Sequence, residues 1–177
     1  MQTVKMVISG AVNAGKTEFI RSISEIEVVS TERKATDETR LLKKETTVAM
    51  DFGRITIAND LVLHLFGTPG QRRFDFMWEI LSEGALGLVV VVDSTRPETF
   101  RETTRIVEFF NEMRPAPYII AANKQDKDTA WSPDELRLAL RLPEQVKVVP
   151  CIATQRDSCK NVLLELLYEI METAKEG

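Results

Sequence analysis

A glycine-rich segment that follows an apolar run restricts the possible folds of this chain more than any other feature. Residues 10–17, GAVNAGKT, have the spacing G-x-x-x-x-G-K-[ST] and precede a helix-like stretch. Gly10 and Gly15 let the backbone bend tightly around an anion, and the helix N-terminus adds partial positive charge. Lys16 can reach terminal phosphates, and the Thr17 hydroxyl can ligate Mg²⁺. The strand, the glycine loop and the helix together predict a phosphate-binding site.

Length and composition limit the classes of protein to consider. The chain has 177 residues, 44% hydrophobic and 28% charged, which suits one compact domain over residues 1–177. A net charge of −4 disfavours nucleic acid as a partner. The longest apolar run, residues 85–92, is too short to cross a bilayer, so we expect no integral membrane segment. The two cysteines form no disulfide framework, and we expect reduced thiols in a cytoplasmic protein.

Apolar runs alternate with helix-like stretches along the chain. The pattern predicts strands at residues 4–9, 46–58, 61–66, 85–92, 118–122 and 146–152. It predicts helices at residues 16–26, 97–113 and 161–174, and another that begins at Ser132-Pro133. Asn59-Asp60 suits a tight hairpin, so the strands on either side of it are expected to be antiparallel. This order predicts a three-layer α/β fold: a six-stranded, mostly parallel sheet with one antiparallel strand and about five helices.

A second motif directly follows the fifth predicted strand. Asn123, Lys124 and Asp126 have the form N-K-x-D. A carboxylate at Asp126 can accept hydrogen bonds from the ring N1–H and the exocyclic amine of guanine, whereas adenine offers no such pair of donors. A site that depends on polar pairing of this kind can discriminate by several orders of magnitude. The motif favours a guanine nucleotide, although by itself it would also fit a polar turn.

Three weaker motifs lie at the ends of other predicted strands. Gly70 can offer its backbone N–H to a γ-phosphate and Gln71 can orient an attacking water, although both also fit a plain Pro-Gly turn. Thr47 can coordinate Mg²⁺, although two threonines are also an ordinary strand start. A backbone N–H at Ala153-Thr154 can meet the guanine O6 atom.

Together these motifs resemble those of the Ras-like small GTPases over nearly the whole chain. The run at residues 64–74, HLFGTPGQRRF, is similar to the prokaryotic MglA-like GTPases that pair with roadblock/LC7 proteins. The resemblance implies a P-loop NTPase fold of the Ras-like G-domain type, with GTP or GDP and Mg²⁺ as ligands. It implies catalytic roles for Gln71, Lys16 and Thr47, and metal contacts from Thr17 and Thr47. The nucleotide contacts that it implies come from Gly10, Asn13, Ala14, Gly15, Lys16, Thr17, Gly70, Asn123, Lys124, Asp126, Ala153 and Thr154.

Two residues depart from the Ras-like pattern. Gly67 stands where an aspartate usually contacts Mg²⁺ through water, so metal binding is weakened or passes to water or to groups near Asp51. The MglA-like proteins lack this aspartate as well. Val12 stands where glycine is common, and its β-branched side chain crowds the space in which Gln71 or an arginine finger would act. We therefore predict slow intrinsic GTP hydrolysis that a partner accelerates.

An arginine finger from the chain itself is a second hypothesis. Arg33 and Arg40 lie in the long loop before the second strand, and Arg72 and Arg73 follow Gln71. Such an arginine can raise the rate by about 10³–10⁵. Each of these arginines also fits a solvated surface charge.

The sequence thus predicts an enzyme, a GTPase that acts as a GTP/GDP molecular switch. A roadblock/LC7-type regulator or another protein effector is expected at the switch regions, and such a partner could recruit the protein to a membrane. Phe74 and Trp78 are expected to be partly exposed there. Two alternatives stay open: a P-loop kinase or ATPase, and a pseudo-GTPase scaffold that binds nucleotide without significant turnover.

Overall fold

A seven-stranded sheet forms the centre of the computed structural model, which describes residues 1–30, 50–68, 76–113 and 116–177. The strands are β1 (Gln2–Gly10), β2 (Val29–Ser30), β3 (Asp51–Ala58), β4 (Leu61–Gly67), β5 (Gly87–Asp93), β6 (Tyr118–Asn123) and β7 (Val148–Pro150). Their order in the sheet is β2-β3-β4-β1-β5-β6-β7. β5 is buried along its whole length, as expected of a central strand that helices cover on both faces.

The strand directions confirm the predicted mixed sheet. β1 pairs in parallel with β4 and β5, and β6 pairs in parallel with β5 and β7. β3 runs antiparallel to β4, and the turn at residues 59–60 joins them as predicted. The two-residue β2 adds an edge to the six predicted strands by pairing with β3.

Helices cover both faces of the sheet. They are α1 (Lys16–Ile23), α2 (Phe76–Ser82), α3 (Phe100–Met113), α4 (Pro133–Ala139) and α5 (Arg156–Glu176). A 3₁₀ turn at Pro97–Thr99 leads into α3. The predicted start of α4 is confirmed, because the Ser132 side chain accepts from the Glu135 N–H and the Glu135 side chain accepts in return from the Ser132 N–H. Among these described helices, none is long and apolar enough to span a lipid bilayer.

Two apolar clusters hold the three layers together. One packs α1 and α5 on the sheet through residues such as Phe19, Ile20 and Leu163. The other packs α2, α3 and α4 on the opposite face through residues such as Trp78 and Phe110. The expectation of a partly exposed Trp78 is therefore wrong: the side chain is fully buried and stacks on the Phe110 ring at 5.7 Å. Phe74 lies outside the described residues.

The topology gathers the ends of four neighbouring strands at one edge of the sheet. β1, β4, β5 and β6 end at Gly10, Gly67, Asp93 and Asn123, respectively. Ligands in sheets of this kind bind beyond the carboxyl ends of the parallel strands. The glycine loop after β1 and the N-K-x-D motif that begins at the end of β6 are thus brought to the same side of the molecule.

Candidate functional site

The glycine loop between β1 and α1 adopts a backbone that side chains would obstruct. Gly10 and Gly15 have φ angles of 151° and 109°, and Asn13 between them has φ 63°. A Cβ atom built on Gly10 would lie 2.3 Å from the Val91 carbonyl oxygen of β5. The loop is therefore packed directly on the neighbouring strand. Gly15 is the N-cap of α1, and no side chain caps this helix, so the partial positive charge of its N-terminus adjoins the loop as an anion site requires.

Lys16 folds its ammonium group over the start of the loop. Its Nζ atom donates to the Gly10 carbonyl at 2.6 Å and to the Ala11 carbonyl at 3.1 Å. This geometry holds a positive charge at the start of the loop. A terminal phosphate that binds the loop amides would lie within reach of the same ammonium. Val12 in the same loop is 47% exposed, so its side chain does not contribute to either apolar cluster.

The Thr17 hydroxyl is paired with a carboxylate from β3. Its Oγ1 atom donates to Asp51 Oδ2 at 2.6 Å. Asp51 is the register partner of Gly67 on β4, the position where the Ras-like pattern has aspartate. A Cβ atom on Gly67 would lie 3.2 Å from Asp51 Cβ and 2.9 Å from Ile20 Cδ1. The space beside Gly67 is thus filled by the Asp51 side chain, and a carboxylate reaches this corner from the adjacent strand.

The donor set at this corner fits Mg²⁺. A hydroxyl and a carboxylate are hard oxygen ligands, and Mg²⁺ in nucleotide sites takes only one or two protein groups besides phosphate and water. Within the described part of the chain, no cluster of three or more His, Cys, Asp or Glu side chains could hold a metal without such help. Thr17 and Asp51 could therefore hold Mg²⁺ together with a bound phosphate.

Asn123, at the end of β6, joins the two predicted nucleotide-binding segments. Its Nδ2 group donates to the Ala14 carbonyl of the glycine loop at 2.9 Å. Its Oδ1 atom accepts from the backbone N–H groups of Lys124 at 2.8 Å and Ala153 at 2.9 Å. Asn123 is only 3% exposed, so these bonds are shielded from water. The amide therefore sets the spacing between the glycine loop and the loop at residues 151–155.

Gly15 and Asn123 are in such close contact that a larger residue could not replace the glycine. A Cβ atom on Gly15 would lie 2.3 Å from Asn123 Nδ2 and 3.7 Å from Ala153 Cβ. The φ of 109° at Gly15 also disfavours any side chain. The glycine of one motif and the asparagine of another are thus parts of a single packed unit.

Lys124 is held by a buried carboxylate that the sequence motifs did not include. Its Nζ atom donates to Asp93 Oδ2 at 2.7 Å, while the Thr95 N–H and hydroxyl donate to Asp93 Oδ1 at 2.9 Å and 2.6 Å. Burial alone would raise the pKa of Asp93, but the hydrogen bonds from Lys124 and Thr95 outweigh it and hold the pKa below its ordinary value of 3.8. Asp93 therefore stays ionised and anchors the ammonium group of Lys124, a residue whose backbone is left-handed with a φ of 65°.

The remaining predicted base contacts lie on the exposed side of this unit. The Asp126 side chain is 43% exposed, and its Oδ2 atom is 3.7 Å from Lys127 Nζ. Thr154 is exposed beside the buried Ala153. Both residues are free of the apolar clusters and can face a ligand from solvent.

Several predicted site residues lie outside the described part of the chain. They are Thr47, Gly70 and Gln71, and the candidate arginine fingers Arg33, Arg40, Arg72 and Arg73. The assignments made for them stay predictions.

Sequence reasoning missed Asp93 and left the contribution of Asp51 undefined. Asp93 had a signal, because it is the one charged residue that ends the apolar run of β5 at the edge where ligands bind. Asp51 could be found only through the register of β3 on β4, which places it opposite Gly67.

Comparison with known proteins identifies the family. The model of a family described as "conserved hypothetical ATP binding protein" matches residues 27–173. The chain belongs to this family. Its members are P-loop proteins, which agrees with the strand, glycine loop and helix at residues 2–23.

Relatives of this P-loop family member confirm the resemblance to Ras-like small GTPases. An uncharacterised protein, MJ1339, from Methanocaldococcus jannaschii is 34% identical over 123 residues, covering 70% of this chain and 71% of that protein. Ras-related protein Rab-18-B of Danio rerio is 25% identical over 182 residues, covering 98% and 82%. The mutual gliding-motility protein MglA of Myxococcus xanthus is 31% identical over 117 residues, covering 60% of each chain. The similarity to MglA that the run at residues 64–74 predicts is thus supported over a part of both proteins.

Proposed function

We propose that this protein is a GTP- and GDP-binding molecular switch that hydrolyses GTP with Mg²⁺. The observation that carries the proposal is the Asn123 amide, which hydrogen-bonds both the glycine loop at Ala14 and the base-side loop at Ala153. This contact would hold a phosphate site and a base site beside each other, as the binding of one nucleotide to both requires. The relationship to Ras-related proteins and MglA supports the same conclusion.

The phosphate side of the proposed site combines backbone and side-chain charge. Gly10, Asn13, Ala14 and Gly15 would present their backbone to the phosphates, and Lys16 would neutralise the terminal ones. Thr17 would ligate Mg²⁺, with the Asp51 carboxylate oriented on the same hydroxyl. When bound, the metal supplies charge stabilisation to the phosphates.

The base side of the site would select guanine. Asp126 would accept from the ring N1–H and the exocyclic amine, and Ala153-Thr154 would offer an N–H to O6. Lys124 would lie along the base, anchored by Asp93 at 2.7 Å. Asn123 touches both loops and would hold these groups in place without itself selecting the base.

Hydrolysis and switching would depend on residues of the two segments around residues 47 and 70–71. Thr47 and Gly70 would report the γ-phosphate, and Gln71 would orient the attacking water. Val12 would slow the reaction by crowding Gln71, so a partner such as a roadblock/LC7-type regulator would accelerate it. The protein would then act in the cytoplasm, or at a membrane to which its partner recruits it.

Two competing functions predict different ligands or rates. The name of the matching family favours ATP, and a P-loop ATPase would bind ATP at least as tightly as GTP. A pseudo-GTPase scaffold would bind GTP without turnover. Gly67 and Val12 are the residues that support this alternative.

Calorimetric titration of nucleotide-free protein with GTP, GDP and ATP in Mg²⁺ buffer decides between these functions. We expect GTP and GDP to bind at least about a thousandfold more tightly than ATP, because a site built on polar pairing rejects an unpaired analogue strongly. Asp126→Asn should abolish the preference, whereas the matched control Asp128→Asn, an exposed residue in the same turn, should keep it. Equal binding of ATP would overturn the guanine assignment, and tight GTP binding with no phosphate release, alone or with a roadblock-type partner, would establish the pseudo-GTPase.

A further inference from the structure

The side chain of Gln125 closes the loop that carries Asp126. This loop runs from Lys124, directly after β6, to Trp131, shortly before α4. The Gln125 Nε2 group donates to the Trp131 carbonyl at 2.9 Å and to the Ser94 hydroxyl oxygen at 3.0 Å. One amide therefore ties the start of the loop both to its end and to the segment that follows β5.

Ser94, one of the two acceptors of this amide, is held firmly in the interior. It is fully buried directly after β5. Its N–H donates to the Asn123 carbonyl at 3.2 Å, and its carbonyl accepts from the Trp131 N–H at 2.8 Å. The Trp131 ring in turn meets the Phe100 ring edge-on, with 5.1 Å between the ring centroids. Both acceptors of the Gln125 amide are thus fixed by other contacts.

The backbone of Gln125 is held from a third direction. Its N–H donates to the Cys151 carbonyl at 3.3 Å, in the loop that follows β7. Asp126 comes next, and its side chain is 43% exposed. Among the residues that the structure describes, the Asp126 carboxylate has one partner, Lys127 at 3.7 Å. The position of this carboxylate therefore depends on the anchored residue that precedes it.

We propose that Gln125 is a positioning residue that holds the Asp126 carboxylate where it accepts from both the ring N1–H and the 2-amino group of guanine. The inference rests on the proposed function, in which Asp126 selects the base. It goes beyond the N-K-x-D motif, which leaves the third position open. A carboxylate that meets two donors at once tolerates little rotation, because hydrogen bonds weaken steeply as their angles depart from linear. A loosened loop should therefore cost the second hydrogen bond first.

The 2-amino group is the part of the base that reports this alignment. Inosine diphosphate (IDP) keeps the N1–H and the O6 atom of GDP and lacks only the 2-amino group. The ratio of the GDP affinity to the IDP affinity therefore measures the hydrogen bond between this group and Asp126. A loss of stability or of phosphate contacts lowers both affinities by the same factor and leaves the ratio unchanged.

Gln125→Met tests the proposal, because methionine has a similar length but no hydrogen-bond donor. Affinities for GDP and IDP are measured by calorimetry on nucleotide-free protein in Mg²⁺ buffer. We expect the wild type to prefer GDP, and the ratio to fall by about 3–10-fold in the variant, within the range of couplings in one hydrogen-bond network. Gln145→Met, at an exposed site between α4 and β7, is the matched control and should keep the wild-type ratio.

Ser94→Ala gives a second measurement that leaves Gln125 intact. The variant should lower the ratio in the same direction but by less, because the Trp131 carbonyl still accepts from the amide. Adding Ser94→Ala to Gln125→Met should lower the ratio no further, since the contact between the two side chains is already lost. Should Gln125→Met fold poorly, Ser94→Ala still decides.

The outcomes separate this inference from the proposed function. If both variants keep the wild-type ratio, or if the GDP and IDP affinities fall by the same factor, Gln125 does not position Asp126. A wild type that prefers GDP to ATP but binds GDP and IDP equally well also overturns the positioning inference alone. Wild-type protein that binds no guanine nucleotide, or binds ATP as tightly as GTP, overturns both.

Discussion

Asp51 lies directly opposite Gly67 in the antiparallel pairing of β3 and β4, and its carboxylate accepts the Thr17 hydroxyl at 2.6 Å. The position that usually carries a metal-directed aspartate in Ras-like proteins is thus a glycine, with a carboxylate one strand away. The Cβ of any larger residue at 67 would press on Ile20 and Asp51. The absence of an aspartate at position 67 and the presence of Asp51 on the adjacent strand therefore belong to one packing arrangement.

Replacement of Asp51 by asparagine should weaken Mg²⁺ binding in the nucleotide complex by about 10–100-fold, the usual cost of losing a partner that orients a metal ligand. The amide can still accept from Thr17 but carries no charge. The measurement is GDP dissociation as Mg²⁺ is titrated down with a chelator. Asp60→Asn, at the exposed turn between β3 and β4, is the matched control and should follow the wild type. An unchanged Mg²⁺ midpoint in Asp51→Asn would show that Asp51 does not contribute to Mg²⁺ binding.

Much of this fold could be predicted because its strands are short apolar runs, while its exact element ends depend on distant contacts. The predicted helix at residues 16–26 ends at Ile23, because the Ser24 side chain accepts from the Arg54 N–H of β3 at 3.1 Å. The predicted strand at 146–152 is confined to Val148–Pro150, the part that pairs with β6. Neither partner is visible from local sequence pattern.

Some residues of the candidate site could likewise be predicted from local sequence, and others could not. The glycine loop and the N-K-x-D motif are local and could be read directly, but Asp51 is placed by strand register and Trp78 by packing on Phe110. A residue that acts through a partner on another strand has no signature in its own neighbourhood. Sequence reasoning therefore named residues that would touch the ligand and missed a residue, Asp93, that holds one of them.

Truncation of Asn123 to alanine should disconnect the two loops of the site. It leaves the Ala14 carbonyl and the Ala153 N–H without the partner they have in the native protein. Each buried polar group left unpaired costs about 1–3 kcal/mol. We expect GDP affinity to fall by at least about tenfold, with a lower midpoint of thermal unfolding.

Asn161 carries an exposed side-chain amide on α5, so Asn161→Ala is the control for removing an asparagine that does not join the two loops. Calorimetry and thermal unfolding are measured on both variants. If Asn123→Ala bound GDP as tightly as Asn161→Ala, the amide would not couple the loops.

The Asp93 carboxylate should stabilise the fold in a pH-dependent way. Its pKa is lowered in the folded protein, so its contribution is complete above the ordinary value of 3.8 and is lost as the pH falls through the lower folded value. Asp93→Asn should therefore reduce the free energy of unfolding by about 1–3 kcal/mol at pH 7, because Lys124 and Thr95 lose a charged partner.

Denaturant unfolding of the wild type and Asp93→Asn between pH 7 and pH 3 tests this contribution. The difference between the two proteins should stay constant down to about pH 4 and narrow below it. Asp134→Asn, an exposed carboxylate in the first turn of α4, is the control for a surface charge. A difference that is independent of pH throughout would show that the loss comes from packing and not from the charge.

Replacement of Val12 is the most direct test of whether this side chain slows GTP hydrolysis. Its side chain is 47% exposed in the glycine loop, outside both apolar clusters, so its removal should cost little packing. Since a β-branched residue there would crowd Gln71 beside the γ-phosphate, Val12→Gly should hydrolyse GTP faster than the wild type. The measurement is single-turnover phosphate release from the preformed GTP complex, which excludes product dissociation from the rate.

Val12→Ala should give an intermediate rate, because it removes the branch without adding glycine's backbone freedom. Val29→Gly, which removes a 56% exposed valine from the sheet edge, should leave the rate unchanged. A rate in Val12→Gly equal to or below that of the wild type would show that the valine does not obstruct the reaction.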